Sequence, residues 1–418
     1  YYSSNYPPLY PLVLAPFVAV WGPSLALGRL LSVAATLATA ALLAWAVWQR
    51  ERDALAAGLA GLLFLGSTYV YHVTPLARVN ALAVCFAVLA LTLLQRGGGR
   101  ALWAPGVAFL LALYAKQTML DALAAGLLWL ALRDVRRALA LGVGVVGVGG
   151  GLYHLLDGLS RGQMHLNLVV GNANPWQVQQ AVAYAVDFAT IHFVLLLAAV
   201  AGLARTARQR GLQALTPFHC YVPLALGFSL TVGKWGAGES YFLPAIAATC
   251  AVASMVVAEL RRRGSPPWRV ALPFLVLAQA LLFWHGPVAS LWPRPELQGV
   301  QGGLLGRPPT PADVEAGYRV VRWVEAVEGP ALAEEVGFLL VARRPVVGNA
   351  THLRNLYEAG RWNPERLVSE LRDRRYGLVV LNAQLYPAPV LQAVGTRYYL
   401  RETVGMNGFT YLIFLPGA

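Results

Sequence analysis

Of 33 basic residues only two are lysine, Lys116 and Lys234, and both stand where a charge is costly. Lys116 lies in "LYAKQTML", within an apolar run from Ala101 to Leu132 that is broken only by Lys116, Gln117, Thr118 and Asp121. Lys234 lies in "GKWGAGESYF", just after another apolar run, and Arg78 in "TPLARVN", between two more. Cations in or near a bilayer are expensive and as a rule functional. The ligand that suits all three is a lipid phosphate, whose tail stays in the membrane while its charge meets them. Lysine binds phosphate as a point charge, arginine as a bidentate fork. A lysine at a helix end can also simply snorkel to the interface. The scarcity of lysine favours the functional reading for Lys116 and Lys234.

The remaining polar residues of these turns suit a sugar. Glu239 lies within "GAGES", with Asp121, Asp157 and Asp187 the few other acids of this kind. It could be a metal ligand, a sugar contact or an ion-pair partner for Lys234. Asp121 lies one turn past Lys116 and could balance it. "YYSSNYPPLYP" brings tyrosine faces, Tyr6 among them, that can stack on a pyranose. "QMHLNLVVGNANPWQ", 163–177, offers His165, Asn167, Asn172, Asn174 and Trp176. We take Arg78, Lys116 and Lys234 as donor-phosphate candidates. Tyr6, Asn80, Gln117, His165, Asn172 and Tyr241 are the substrate-binding candidates. The sequence holds no metal-ligand spacing, P-loop, dinucleotide fingerprint or Ser/His/Asp order. No cofactor is called for, and a divalent metal stays an open alternative. Cys85, Cys220 and Cys250 fall inside apolar runs, odd in number, and read as small buried hydrophobes.

What positions these residues is a set of apolar runs. The chain is 57 % hydrophobic and only 13 % charged, against about 25 % in soluble domains. Ten runs stand out, at 24–48, 54–73, 80–95, 102–115, 118–132, 138–157, 188–204, 214–233, 241–260 and 268–286. Such runs mark bilayer-spanning helices. The pair 102–115 and 118–132 is short, and the 9–21 stretch reads as an interfacial or re-entrant helix. Alternate connections carry 14 of the 19 basic residues between 1 and 286, which places the Arg-rich turns in the cytoplasm. The net charge of +13 is then a matter of topology, and nucleic acid is not needed as a partner.

Residues 287–418 have ordinary soluble usage, 14 basic and 12 acidic. Thr310, Pro311 and Asp313 open one helix as cap, first residue and first-turn acid, and Asn363 with Pro364 repeats the device. "YGLVVLN" and "GFTYLIFLP" read as strands. The expected architecture is an all-α polytopic membrane protein of about ten transmembrane helices with a small α/β C-terminal extracytoplasmic domain. Its expected parts are 1–23, the end of an outer loop with an interfacial helix; 24–286, the membrane domain; and 287–418, the α/β domain. The absence of an initiator Met at Tyr1 suggests a segment upstream.

Taken in order, "NYPPLYPLVLAPF", "GPSLALGRLLS", "TPLARVNALAV", "YAKQT", "GNANP" and "GKWGAGESYFLP" resemble the GT-C class of integral membrane glycosyltransferases over residues 3–250. The chain is most similar to the bacterial family 39 group, to dolichyl-phosphate-mannose protein mannosyltransferases and to aminoarabinose transferases of lipid A. The resemblance implies a GT-C fold and a polyprenyl-phosphate sugar donor, used on the outer face of the bacterial cytoplasmic membrane. The acceptor would be a glycan, a lipid or a protein. It implies Lys116 on the donor phosphate with Arg78 nearby, and an acidic catalytic base on an outer loop upstream of Tyr1. Glu239 is then the one candidate base inside the chain. Relatives often carry Asp at the place of Asn80, a charged residue or His near Tyr6, and an amide at the place of Glu239. The alternatives are a lipid-linked polysaccharide ligase or polymerase, and a membrane transporter. A transporter would more often show inverted repeats with polar residues at mid-membrane. Here no repeat is seen and the polar residues gather at one face.

Overall fold

The computed structural model describes residues 5–97, 101–285 and 308–417. The boundary expected at 286–287 lies outside them.

The first part is helical. It comprises α1 (Leu9–Trp21), α2 (Leu25–Glu51), α3 (Ala54–Gly66), α4 (Thr68–Val73), α5 (Asn80–Gly97), α6 (Trp103–Ala115), α7 (Leu120–Ala131), α8 (Val135–Leu159), α9 (Gln163–Leu168), α10 (Val178–Ile191), α11 (Phe193–Arg210), α12 (Pro217–Ser229), α13 (Leu243–Arg263) and α14 (Pro266–His285). Every apolar run is occupied by helix. Among the described residues α2, α5, α8, α14 and the 239–263 stretch ending in α13 are long and apolar enough to cross a bilayer. The chain is thus a polytopic helical membrane protein.

Two runs are not the single straight helices expected. Run 54–73 breaks at Ser67 into α3 and α4. The helix read as 188–204 starts ten residues earlier, at Val178, and α10 meets α11 at an 87° bend at His192. A bend frees backbone groups that must find partners. The buried Gln279 of α14 supplies them: its Nε2 donates to the Ile191 carbonyl at 2.7 Å, and its Oε1 accepts from the Leu195 N–H at 3.0 Å. Likewise α9 and the 3-10 turn Val170–Asn172 fold within the segment read as loop.

The Arg-rich turns gather at one end. Arg262 pairs with Glu51, Arg261 with Asp53 at 2.5 Å, and Arg210 with Glu259. Asp53 and Asp134 cap α3 and α8 beside them. By connectivity the turns at 74–79, 116–119 and 230–242 lie at the opposite end. With 13 and 12 residues, α6 and α7 each reach only about 20 Å, so the turn joining them stops inside the bundle.

The second part is a four-stranded sheet, β1 (Ala331–Ala333), β2 (Leu378–Leu381), β3 (Tyr398–Met406) and β4 (Phe409–Pro416), in the order β1-β2-β4-β3. β1 and β2 run parallel, the other pairs antiparallel. Helices α15 (Pro311–Ala326) and α16 (Val336–Val341) cover one face. Helices α17 (Ala350–Glu358), α18 (Glu365–Arg372) and α19 (Ala388–Arg397) cover the other. Strand alternation sets this: Leu332, Val379 and Leu381 face one layer, Ala331, Ala333, Leu378 and Val380 the other. The Thr310–Asp313 capping box forms as expected. Asn363 accepts from the Glu365 N–H as a cap would, although α18 starts at Glu365, one residue later than expected. β1 and β3 were not legible as strands. Positive φ at Asn407 and Gly408 gives the β3–β4 hairpin the turn that matches strand twist.

Candidate functional site

Lys116 ends α6 in an extended conformation and is only 3 % exposed. Its ammonium lies 4.4 Å from the centre of the Tyr241 ring. Neither a hydrogen bond nor an ion pair to the described residues satisfies it. Tyr241 belongs to a one-turn 3-10 helix, Glu239–Phe242, that roofs the Lys116 turn. Lys116, Thr118, Asp121, Thr231, Ser240 and Tyr241 line a water-sized cavity between them. Asp121 is equally buried, and its carboxylate accepts from the Ala122 N–H at 2.8 Å. It shares the cavity with Lys116 without forming an ion pair.

Phe242 fixes the roof. Its ring stacks on Phe188 at 4.5 Å and meets Tyr69 edge-on at 5.9 Å. Phe188 in turn stacks on His192, which bonds Ser67 at 2.7 Å. The bend between α10 and α11 thus anchors the turn that carries Glu239 and Tyr241.

Arg78 is exposed, and within electrostatic range of Lys116, Tyr6 and His72. Its turn is tied to α2 by Ser32, which donates to the Arg78 carbonyl at 3.3 Å, and α1 is tied to α2 beside it by Tyr10, which donates to the Gly28 carbonyl at 3.0 Å. A Cβ at Gly28 would come within 2.6 Å of Ala77, so only glycine lets this turn approach α2 so closely. Beside Tyr6, the Asn5 carbonyl accepts from Gln117 at 3.3 Å and from Asn172 at 2.9 Å. Glu239 lies within electrostatic range of His72 and Tyr184, and Asp187 within range of Tyr184.

Of the sequence candidates, Tyr6, Arg78, Lys116, Gln117, Asn172, Glu239 and Tyr241 therefore converge. Among the described residues the others, Asn80, Lys234 and His165, make no side-chain hydrogen bond or ion pair to this group. Asn80 is buried at the start of α5 with its Oδ1 unpartnered. Lys234 is half-buried outside the cavity, bridged to Trp176 through its backbone. It makes no ion pair with Glu239. His165 is bonded to Tyr153 at 2.8 Å and to Asp157 through its N–H at 2.7 Å, which staples α9 to α8. His72 and Tyr184 were missed. Each sits on an apolar helix where polarity alone gave little warning, although Tyr184 and Asp187 are three apart on one helix face. Among the described residues no three His, Cys, Asp or Glu side chains gather to hold a metal.

No known family profile matches the sequence, and no curated protein does. Similarity appears at the level of structure. ArnT from Cupriavidus metallidurans bound to undecaprenyl phosphate superposes with a TM-score of 0.61 at 14 % identity, over 98 % of this chain and 88 % of that one. The same protein in its apo state gives 0.59 at 14 % identity, over 98 % and 87 %. The chain therefore has the GT-C fold, a polytopic helical membrane domain followed by a small α/β domain.

Proposed function

We propose that the protein is a membrane glycosyltransferase that takes a sugar from a polyprenyl-phosphate donor. The observation that carries this reading is Lys116, a buried cation with no anion in contact. Burying a charge without an ion-pair partner is strongly unfavourable; Asp121 acts on Lys116 only at range across the cavity, and a ring face offsets only about 2 kcal/mol. A phosphoryl oxygen would complete the environment, with Arg78 at its exposed side. That a protein of the same fold binds undecaprenyl phosphate supports a lipid carrier for it.

In the proposed reaction an acceptor hydroxyl loses its proton to a carboxylate and its oxygen attacks the anomeric carbon from the face opposite the phosphate. The bond from that carbon to the phosphate oxygen breaks, and the electron pair leaves on the polyprenyl phosphate. Lys116 and Arg78 stabilise the charge that develops there. Within the chain, Glu239 is the candidate base. Tyr6 and Tyr241 offer stacking faces, and Gln117 and Asn172 amide contacts, to the sugar. The cavity holds about one water, so a phosphoryl group enters only if the roof shifts outward. Gly236, at φ 78°, and Gly238 precede the roof and give it that freedom. By the charge bias of its connections, the site and the C-terminal domain face outward from the bacterial cytoplasmic membrane.

The test is release of polyprenyl phosphate from a panel of polyprenyl-phosphate hexoses and pentoses, using membranes that contain wild type or Lys116→Ala. Release by wild type alone supports the reading. Equal release by both, at equal expression, removes Lys116 from the donor site.

A further inference from the structure

Helix α17 of the C-terminal domain is joined to the Lys116 turn by an unbroken series of contacts. The His352 ring, 1 % exposed, bonds the Asn167 Oδ1 at 2.8 Å through Nε2. One turn on, Asn355 donates to the Gly171 carbonyl at 2.9 Å. Between them Arg354 lies over the Trp235 ring at 4.9 Å. Asn167 and Gly171 belong to the same short segment as Asn172, which donates to the Asn167 and Leu168 carbonyls and to Asn5. Asn5 accepts from Gln117, the neighbour of Lys116. At Gly171 a Cβ would lie 2.3 Å from the His352 ring, so the surfaces meet without a gap.

We infer that α17 is a positioning element of the membrane site: the His352 and Asn355 contacts fix segment 167–172, and through Asn5 they fix the turn that carries Lys116. The coupling rests on these contacts, and its purpose, orienting the cation for a donor phosphate, rests on the function proposed above. His352 acts through other residues and touches no substrate. A C-terminal domain serving only as an independent appendage would need no contact that reaches Gln117.

Three full-length variants test this in nanodiscs: His352→Ala, His352→Gln, whose amide can still donate to Asn167, and Gly171→Ala. The last wedges the interface from the membrane side and leaves the C-terminal core intact. Hydrogen exchange and affinity for undecaprenyl phosphate are read in each. We expect His352→Ala and Gly171→Ala to speed exchange about tenfold at Lys116 and Met119, the hydrogen-bonded amides on either side of Gln117, as well as at 163–172, the effect of one buried hydrogen bond left unmade. Affinity should fall by about the same factor, and His352→Gln should recover most of both. Exchange that rises only in 163–172 and 350–358, with Lys116 and Met119 unchanged, overturns the coupling. Faster exchange at Lys116 and Met119 with affinity within about twofold of a wild type that binds overturns the positioning role. If wild type does not bind undecaprenyl phosphate, the phosphate reading falls, and exchange at Lys116 and Met119 still decides the coupling by itself.

Discussion

Burial should rank the three candidate cations, and the ranking can be worked out in advance. The Coulomb attraction between unit charges at 4 Å is about 4 kcal/mol where the effective dielectric constant is near 20, and about 1 kcal/mol in bulk water. Lys116, 3 % exposed beneath the Tyr241 ring, belongs to the first regime. Arg78 is exposed and belongs near the second. Lys234 is half-buried but lies outside the cavity. Lys116→Met keeps the side-chain volume and removes the charge. It should weaken undecaprenyl phosphate binding by about 1,000-fold, the equivalent of about 4 kcal/mol. Arg78→Met should cost about five- to tenfold, and Lys234→Met less than about twofold. The desolvation of the phosphate is common to all three and cancels in the comparison. Salt separates them further: at about 0.5 M the Arg78 contribution should vanish while that of Lys116 persists. Titration of detergent-solubilised protein with undecaprenyl phosphate, at low and high salt, reads each value. Equal losses at Lys116 and Arg78, or a larger one at Arg78, would refute the reasoning, because a buried cation would then be contributing no more than an exposed one.

Three further outcomes are expected. Glu334 accepts from the N–H groups of Asn382, Ala383, Gln384 and Leu385, so Glu334→Gln should raise the rate of limited proteolysis within 382–387 by about 30-fold or more, and a change below about threefold would show that the loop holds itself. Burial holds the His352 imidazole below its ordinary 6.5, with the backbone of Gly171 partly opposing. The docked state then binds fewer protons than the undocked one just under that value, so docking is complete above pH 6.5 and weakens as pH falls below it. Exchange in 163–172, corrected for intrinsic rates, should show this in wild type and not in His352→Gln. Protease added to intact spheroplasts should remove the C-terminal domain; an uncut domain would reverse the orientation argued from the arginine bias.

The elements were legible where a single residue type carried the signal. Lys116 is conspicuous in the sequence because the chain all but excludes lysine, and the structure finds it buried between two short helices, as the interruption of its run suggested. The cap of α15 was legible because Thr310 and Asp313 satisfy each other within four residues. What sequence reading missed depends on distant partners. The bend at His192 lies inside the apolar run 188–204, and the group that stabilises it, Gln279, is more than 80 residues away. β1 is three residues long, too short to show alternation, and β3 is an edge strand whose exposed residues hide its pattern. The Lys234–Glu239 pairing was plausible by proximity in sequence, but the two form no ion pair, and Glu239 lies within electrostatic range of His72 and Tyr184.

These distant contacts explain how a buried cation can be held with no anion in contact and only Asp121 across the cavity. A lysine on a flexible loop would swing to water and recover its hydration. Here both flanks of its turn are fixed. On one side Tyr241 follows the roof, which Phe242 locks to Phe188 and Tyr69, and the Gln279 bridge stabilises the bend below them. On the other side Gln117 is tied to Asn5, and through Asn172 to the segment gripped by α17. Removing either flank lets Lys116 relax, which should stabilise the empty protein locally while weakening its hold on an anion. That opposition is the signature of a preorganised electrostatic site: the unfavourable charge burial is met during folding, and an arriving phosphate finds the cation already oriented and poorly hydrated. A lysine that served only to anchor a helix end would show the reverse, since loosening its turn would lower stability and leave binding untouched.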